Sequence, residues 1–273
     1  MNTSASRLEE KFDALKQRDA TALVCFITAG DGGSEVTVAS MHAMAEAGAD
    51  IIELGMPFSD PMADGPAIQK AGERALAAGA TLAQTLDVVA TVRERDNVTP
   101  LVLMGYQNPI EAMGAETFAN RAVSAGADGV IVVDLPPEEG ETEMAAMRTA
   151  GLAPIYLIAP NSTPERIAKL CASARGFVYL VSIKGITGTR SAQVHEVQKQ
   201  VGEIRRHTQL PVGVGFGIRD SQMAGDMGAV ADAVIVGTVL VEQFAEHQQS
   251  PEQIPAAVAA VVADLRAGID APR

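Results

Sequence analysis

Cationic side chains are scarce in this chain of 273 residues: 21 lysines and arginines stand against 34 acids, a formal net charge of −13. That balance disfavours nucleic acid and anionic membranes as partners, because both recruit proteins through clustered positive charge. It also steers any phosphate site toward backbone N–H groups and helix N-termini rather than a lysine cluster. Cysteine is nearly absent. Cys25 lies in the apolar run Leu23-Val24-Cys25-Phe26-Ile27 and Cys171 follows Lys169-Leu170. Both read as reduced packing residues, which fits the cytoplasm and leaves neither a disulfide nor a metal pair. His42, His195, His207 and His247 lie in polar helical contexts, and none pairs visibly with a serine or an acid. No nucleophilic triad and no metal site are expected. Long hydrophobic runs are missing too. Residues 254–263, the most apolar late stretch, fall well short of the roughly 20 residues that span a bilayer. The first 20 residues carry Arg7, Glu9, Glu10, Lys11 and Asp13 in place of an apolar signal core.

What is present is globular: 47% of residues are hydrophobic, enough to exclude a disordered chain. Eight apolar runs, at 22–28, 50–54, 101–105, 129–134, 154–159, 177–182, 212–215 and 233–237, alternate with segments of helical period such as 36–47, 82–94, 116–125, 138–149 and 164–172. Most of the runs are continuous, as in parallel strands covered on both faces. The phrase Ala47-Gly48-Ala49-Asp50 returns as Ala125-Gly126-Ala127-Asp128 and, more weakly, as residues 228–232. In each case glycine ends a helix immediately before a strand. Such repetition predicts an α/β fold of the (β/α)8 TIM-barrel type, a single domain over residues 1–273, with residues 1–19 an extra N-terminal helix closing the barrel bottom. A doubly wound open sheet is the alternative.

In a barrel of this kind, chemistry sits at the C-terminal ends of the strands. The segment Glu53-Leu-Gly-Met-Pro-Phe-Ser-Asp60-Pro-Met-Ala-Asp64-Gly-Pro66 places three carboxylates there. Glu53 falls within an apolar strand, and no lysine or arginine occurs between Ala20 and Gln69 to neutralise it. A raised pKa is expected, suited to an acid/base near neutral pH. Asp64 lies in Ala-Asp-Gly-Pro, which is also a good turn sequence. Gly188, Gly215, Gly217 and Gly237 allow close backbone approach to an anion, and helices starting near Asp220 and after Thr238 can aim N–H groups inward. Phe26, Met104, Ile131, Leu157 and Phe216 are core residues by default. At strand ends they also form an apolar slot for a flat aromatic ring.

The Glu53–Pro66 segment resembles the active-site signature of the tryptophan synthase α subunit. The likeness continues, in family order from about residue 20 to 240, through Gly105-Tyr106-Gln107-Asn108-Pro109-Ile110, Asp128-Gly-Val-Ile-Val-Val-Asp134-Leu-Pro136, Tyr179-Leu-Val-Ser-Ile-Lys-Gly185-Ile-Thr187-Gly188 and Gly213-Val-Gly215-Phe216-Gly217-Ile218. The resemblance implies retro-aldol cleavage of indole-3-glycerol phosphate to indole and glyceraldehyde 3-phosphate, without a cofactor in this chain. It implies that Glu53 donates and accepts the proton and that Asp64 holds the indole N–H. Tyr179 and the loop residue Thr187 support the site. Gly188, Gly217, Gly237 and Thr238 bind phosphate, and the apolar slot takes the indole. It further implies a β subunit carrying pyridoxal phosphate, in an α2β2 assembly that turns indole into tryptophan, with Pro57 and Asp60 toward that interface. The absence of tryptophan from this chain is compatible with such a role.

There are departures. Gly32-Gly33 follows Asp31 where the family usually has proline, which predicts a looser turn. Ile183-Lys184 precedes Gly185, and Val133 stands where proline is frequent. Lys184 also opens a rival chemistry, a Schiff base with a carbonyl substrate. A free-standing lyase acting without a β chain is a further alternative.

Overall fold

The computed structural model describes residues 6–181, 190–215 and 217–271, without the side chains of Arg190 and Ser191. Its strands are β1 (Ala22–Thr28), β2 (Ile51–Gly55), β3 (Leu101–Gly105), β4 (Gly129–Val132), β5 (Ala153–Pro154), β6 (Tyr156–Ile158), β7 (Val178–Val181), β8 (Val212–Gly215) and β9 (Ala233–Val236). All pairings are parallel, in the order β5-β4-β3-β2-β1-β9-β8-β7-β6. Only Ile155 separates β5 from β6, so the two ends of the sheet meet in one stretch of chain and the ring closes with eight positions. The split has a cause in Pro154, which has no N–H to give the ladder. The chain pairs with β4 through Ala153 and Pro154 and with β7 from Tyr156 onward. The sequence predicts one unbroken run here; the structure breaks it.

Twelve α-helices are described: α1 (Arg7–Gln17), α2 (Ser34–Glu46), α3 (Pro66–Ala77), α4 (Leu82–Arg93), α5 (Gln107–Met113), α6 (Ala115–Ala125), α7 (Glu141–Ala150), α8 (Pro164–Ser173), α9 (Arg190–Ile204), α10 (Ser221–Gly228), α11 (Thr238–Glu246) and α12 (Ile254–Asp270). Helix α1 starts on a capping box. The Ser6 hydroxyl accepts the Glu9 N–H and the Glu9 carboxylate accepts the Ser6 N–H, which together satisfy two otherwise unpaired donors. Its Leu8, Phe12 and Leu15 are buried among Val24, Ile51, Val102, Ile131, Ile155, Phe177 and Ile235 inside the ring. A second, larger apolar cluster fills the space between the strands and the outer helices.

The aspartates of the repeated phrase have a shared task. Asp50 exchanges two hydrogen bonds with Leu23, its N–H donating to the carbonyl (2.8 Å) and its carboxylate accepting the N–H (3.0 Å). Asp128 does the same with Leu101, and Asp232 with Val212. An arginine neutralises each: Arg266 on Asp50 at 2.9 Å, Arg93 on Asp128 at 2.7 Å and Arg205 on Asp232 at 2.9 Å. Arg7 and Lys11 of α1 reach Asp128 and Asp50 as well. These carboxylates close the N-terminal rim of the barrel, the face where stability rather than chemistry is built.

The turn after β1 is not loose. Gly30, Gly32 and Gly33 all take positive φ (79°, 75° and 100°), a region closed to proline, whose φ is fixed near −65°. The Gly33 N–H donates to Gly30 and the Gly30 N–H to the Thr37 hydroxyl. Asp31 is 3% exposed and forms a two-point ion pair with Arg74 at 2.9 and 2.6 Å. Three flexible residues are thus held by a buried charge pair that spans from β1 to α3. Burial still raises the Asp31 pKa, with the arginine opposing.

Candidate active site

At the C-terminal end of the strands, β2 carries Glu53 inward between Phe26 of β1 and Val102 of β3. Its carboxyl group is 1% exposed, and Oε1 has no hydrogen-bond partner among the described residues. Below it the barrel interior is apolar. Burial, reinforced by the Asp64 charge, pushes its pKa up to about 8. A carboxyl group with that value holds its proton at neutral pH and can give it up to a base in the site.

Asp64 comes from the loop between β2 and α3. Its backbone N–H donates to Pro61 at 3.1 Å, and its carbonyl accepts from the Gln69 side chain at 2.9 Å. It is therefore the turn residue its sequence predicts, and its side chain still lines the cleft. Burial raises its pKa to about 6, against the lowering influence of the Tyr106 hydroxyl. The two carboxyls thus differ in protonation at pH 7: Glu53 is mostly neutral and Asp64 mostly ionised. Such splitting allows one carboxyl group to act as an acid while the other stabilises positive charge.

The cleft that Asp64 lines is walled by Phe26, Thr28, Met104, Tyr106, Phe58 and Ile68, among others. Phe26 and Met104 therefore face it. Ile131, fully buried, and Leu157 belong to the barrel interior below. Tyr179, on β7, points its hydroxyl at Gly215, where any Cβ would collide with it. Burial and the charges of Glu53 and Asp64 raise its pKa well above the usual phenol. Phe216, Thr187 and Gly188 lie outside the described residues, as does Lys184.

On the far side, Gly237 is the N-cap of α11 and Thr238 its first residue, with no side-chain cap. The first N–H groups of α11 are consequently open to an anion. Gly217 adopts φ +60° with open space where a Cβ would stand. Helix α10 differs. Asp220 caps it, accepting the Met223 N–H at 2.7 Å, and a carboxylate already occupying a helix start opposes a phosphate there. The expectation of two inward-aimed helix starts thus reduces to one. No group of three or more potential metal-ligating side chains occurs among the described residues.

Tyr106, which the sequence shows only within the Gly105–Ile110 motif, directly follows β3. It is 3% exposed, its hydroxyl accepts the Ala63 N–H at 3.1 Å, and its ring lies 5.4 Å from that of Phe58. The signal for it is weak, because the contact spans 43 positions.

A family model described as "Tryptophan synthase alpha chain" matches residues 12–270. The chain is 51% identical to the tryptophan synthase alpha chain of Nitrosococcus oceani over 266 residues, covering 97% of this chain and 98% of that protein. It is 53% identical to that of Burkholderia pseudomallei over 265 residues, 97% of each chain. Among solved structures, tryptophan synthase subunit alpha from Legionella pneumophila superimposes with a TM-score of 0.90 at 40% identity, over 98% of this chain and 99% of the other.

Proposed function

The chain belongs to the tryptophan synthase alpha chain family, and we propose that Glu53 and Asp64 carry the family reaction here. That reaction is the lyase step in which indole-3-glycerol phosphate is cleaved to indole and glyceraldehyde 3-phosphate. Glu53, protonated at rest, gives its proton to C3 of the indole ring. The ring nitrogen takes up the positive charge, and ionised Asp64 accepts its N–H and stabilises that charge. The carboxylate left on Glu53 then accepts the proton of the adjacent glycerol hydroxyl. The carbon–carbon bond breaks, its electron pair returns to the ring, and the aldehyde leaves. Glu53 ends the cycle protonated as it began. The observation that carries this reading is the buried Glu53 carboxyl, with an unpartnered Oε1 at the apolar barrel interior and lifted to about 8 by burial and the Asp64 charge.

Phosphate binds at Gly217, Gly237 and Thr238, with Gly188. The indole packs on Phe26 and Met104 with Phe216, and Ile131 and Leu157 support the slot from the barrel interior below. Tyr179 supports Glu53 from β7, and Thr187 closes over Asp64. The chain acts as one domain in the cytoplasm, without a cofactor of its own. It passes indole to a β subunit that carries pyridoxal phosphate, in an α2β2 complex. Exposed Asp60 faces that subunit, whereas Pro57 is buried at the cleft.

Incubating the purified chain with indole-3-glycerol phosphate and measuring indole and aldehyde together tests the reading. The two appear in equal amounts from wild type, faster when the β subunit is added. Glu53→Gln releases them at least about 100-fold more slowly, the scale of general-acid catalysis. A Glu53→Gln chain retaining near wild-type turnover overturns it.

A further inference from the structure

We propose that Tyr106 is a positioning residue for the lyase reaction, fixing the Asp64 loop and directing its hydroxyl proton to the Asp64 carboxylate. The inference rests on Asp64 acting on the substrate, as read above, and extends it to a residue outside the reacting pair. Three observations meet at this side chain. The ring is almost fully buried at the end of β3, a rigid element. It lies against Phe58, near the start of the loop. Its hydroxyl accepts the N–H of Ala63, the residue before Asp64, at 3.1 Å. A phenol has one proton and two acceptor sites. With the Ala63 N–H on an acceptor site, the proton is free for the neighbouring carboxyl, where it favours the ionised form.

The geometry also accounts for an imbalance. Asp64 sits in a loop with exposed Met62 (84%) two residues away, yet its carboxyl group lines the cleft. Gln69 anchors only the loop backbone, at Pro61 and Asp64. Tyr106 alone among these contacts touches the loop from the barrel wall and acts on the carboxylate itself. Aligned positioning of a charged group is what a preorganised site requires.

The test compares kcat/KM for indole release across pH, with the β subunit present, for wild type, Tyr106→Phe, Asp64→Asn and the double variant. Tyr106→Phe keeps the ring and its packing on Phe58 and removes only the hydroxyl. A lost hydrogen bond to a charged group predicts a fall of about 10- to 100-fold, mostly in kcat. The acid limb of the profile moves to higher pH, because Asp64 loses the donor that favours its charge. The double variant is no slower than Asp64→Asn, since both changes act through one carboxylate. A Tyr106→Phe chain with the wild-type rate and limb overturns the proposal, as does a loss that multiplies with that of Asp64→Asn. If Asp64→Asn itself keeps full activity, the role of Asp64 fails first, and that outcome is distinct from the other two.

Discussion

Replacing Glu53 with glutamine removes the proposed proton donor and also stabilises the fold at alkaline pH. In the unfolded chain the carboxyl titrates near its ordinary value of 4.5, and in the barrel burial holds it at about 8. Between those values the unfolded state releases a proton that the folded state keeps. Stability contributed by this group is therefore complete below pH 4.5 and lost as pH rises through 8. At 1.36 kcal/mol for each tenfold step in proton activity, the loss is about 3 kcal/mol at pH 7 and on the order of 5 kcal/mol above pH 8. Glutamine has nearly the same shape and never ionises, so the variant escapes this loss. Urea unfolding of wild type and Glu53→Gln at about pH 5 and about pH 9 measures it. The two chains should nearly coincide at the lower pH, and the variant should be more stable by several kcal/mol at the higher. Equal stabilities at both pH values would refute the claim that Glu53 is held neutral by burial.

Two other consequences are accessible. Asp128 accepts from Leu101 N–H and from Arg93 and Arg7, so Asp128→Ala leaves the buried Arg93 guanidinium with backbone carbonyls but no charge partner at this position and should cost about 3 kcal/mol by denaturant unfolding; a cost under about 1 kcal/mol would refute the rim's structural role. Thr238→Asp places a carboxylate on the open start of α11 and should raise KM for indole-3-glycerol phosphate about tenfold with kcat little changed; an unaltered KM would move the phosphate away from α11.

Much of this architecture was legible because a parallel barrel writes itself in continuous apolar runs. Strands β1, β3 and β8 have the bounds read from sequence, and Glu53 stands out because an acid in such a run is costly. What escaped reading depends on distant partners. The two halves of the fifth strand are divided by which neighbour each can pair with around Pro154. Asp50, Asp128 and Asp232 look like ordinary turn residues until the preceding strand lies beside them. The turn at Gly32-Gly33 seems loose in sequence, because Arg74, which secures Asp31, follows 43 positions later. Asp220 reads equally well as the start of an anion-binding helix and as the cap that rules one out, and only the bond to Met223 decides.

The central claim is that a neutral carboxylic acid waits at the end of β2. Labelling glutamate with carbon-13 at the side-chain carboxyl and following its resonance with pH, with Glu53→Gln to assign the signal, tests that most directly. The account predicts a carboxyl still protonated at pH 7 with a midpoint at about 8. A Glu53 signal already ionised at pH 6, with a midpoint close to the ordinary 4.5, would contradict it.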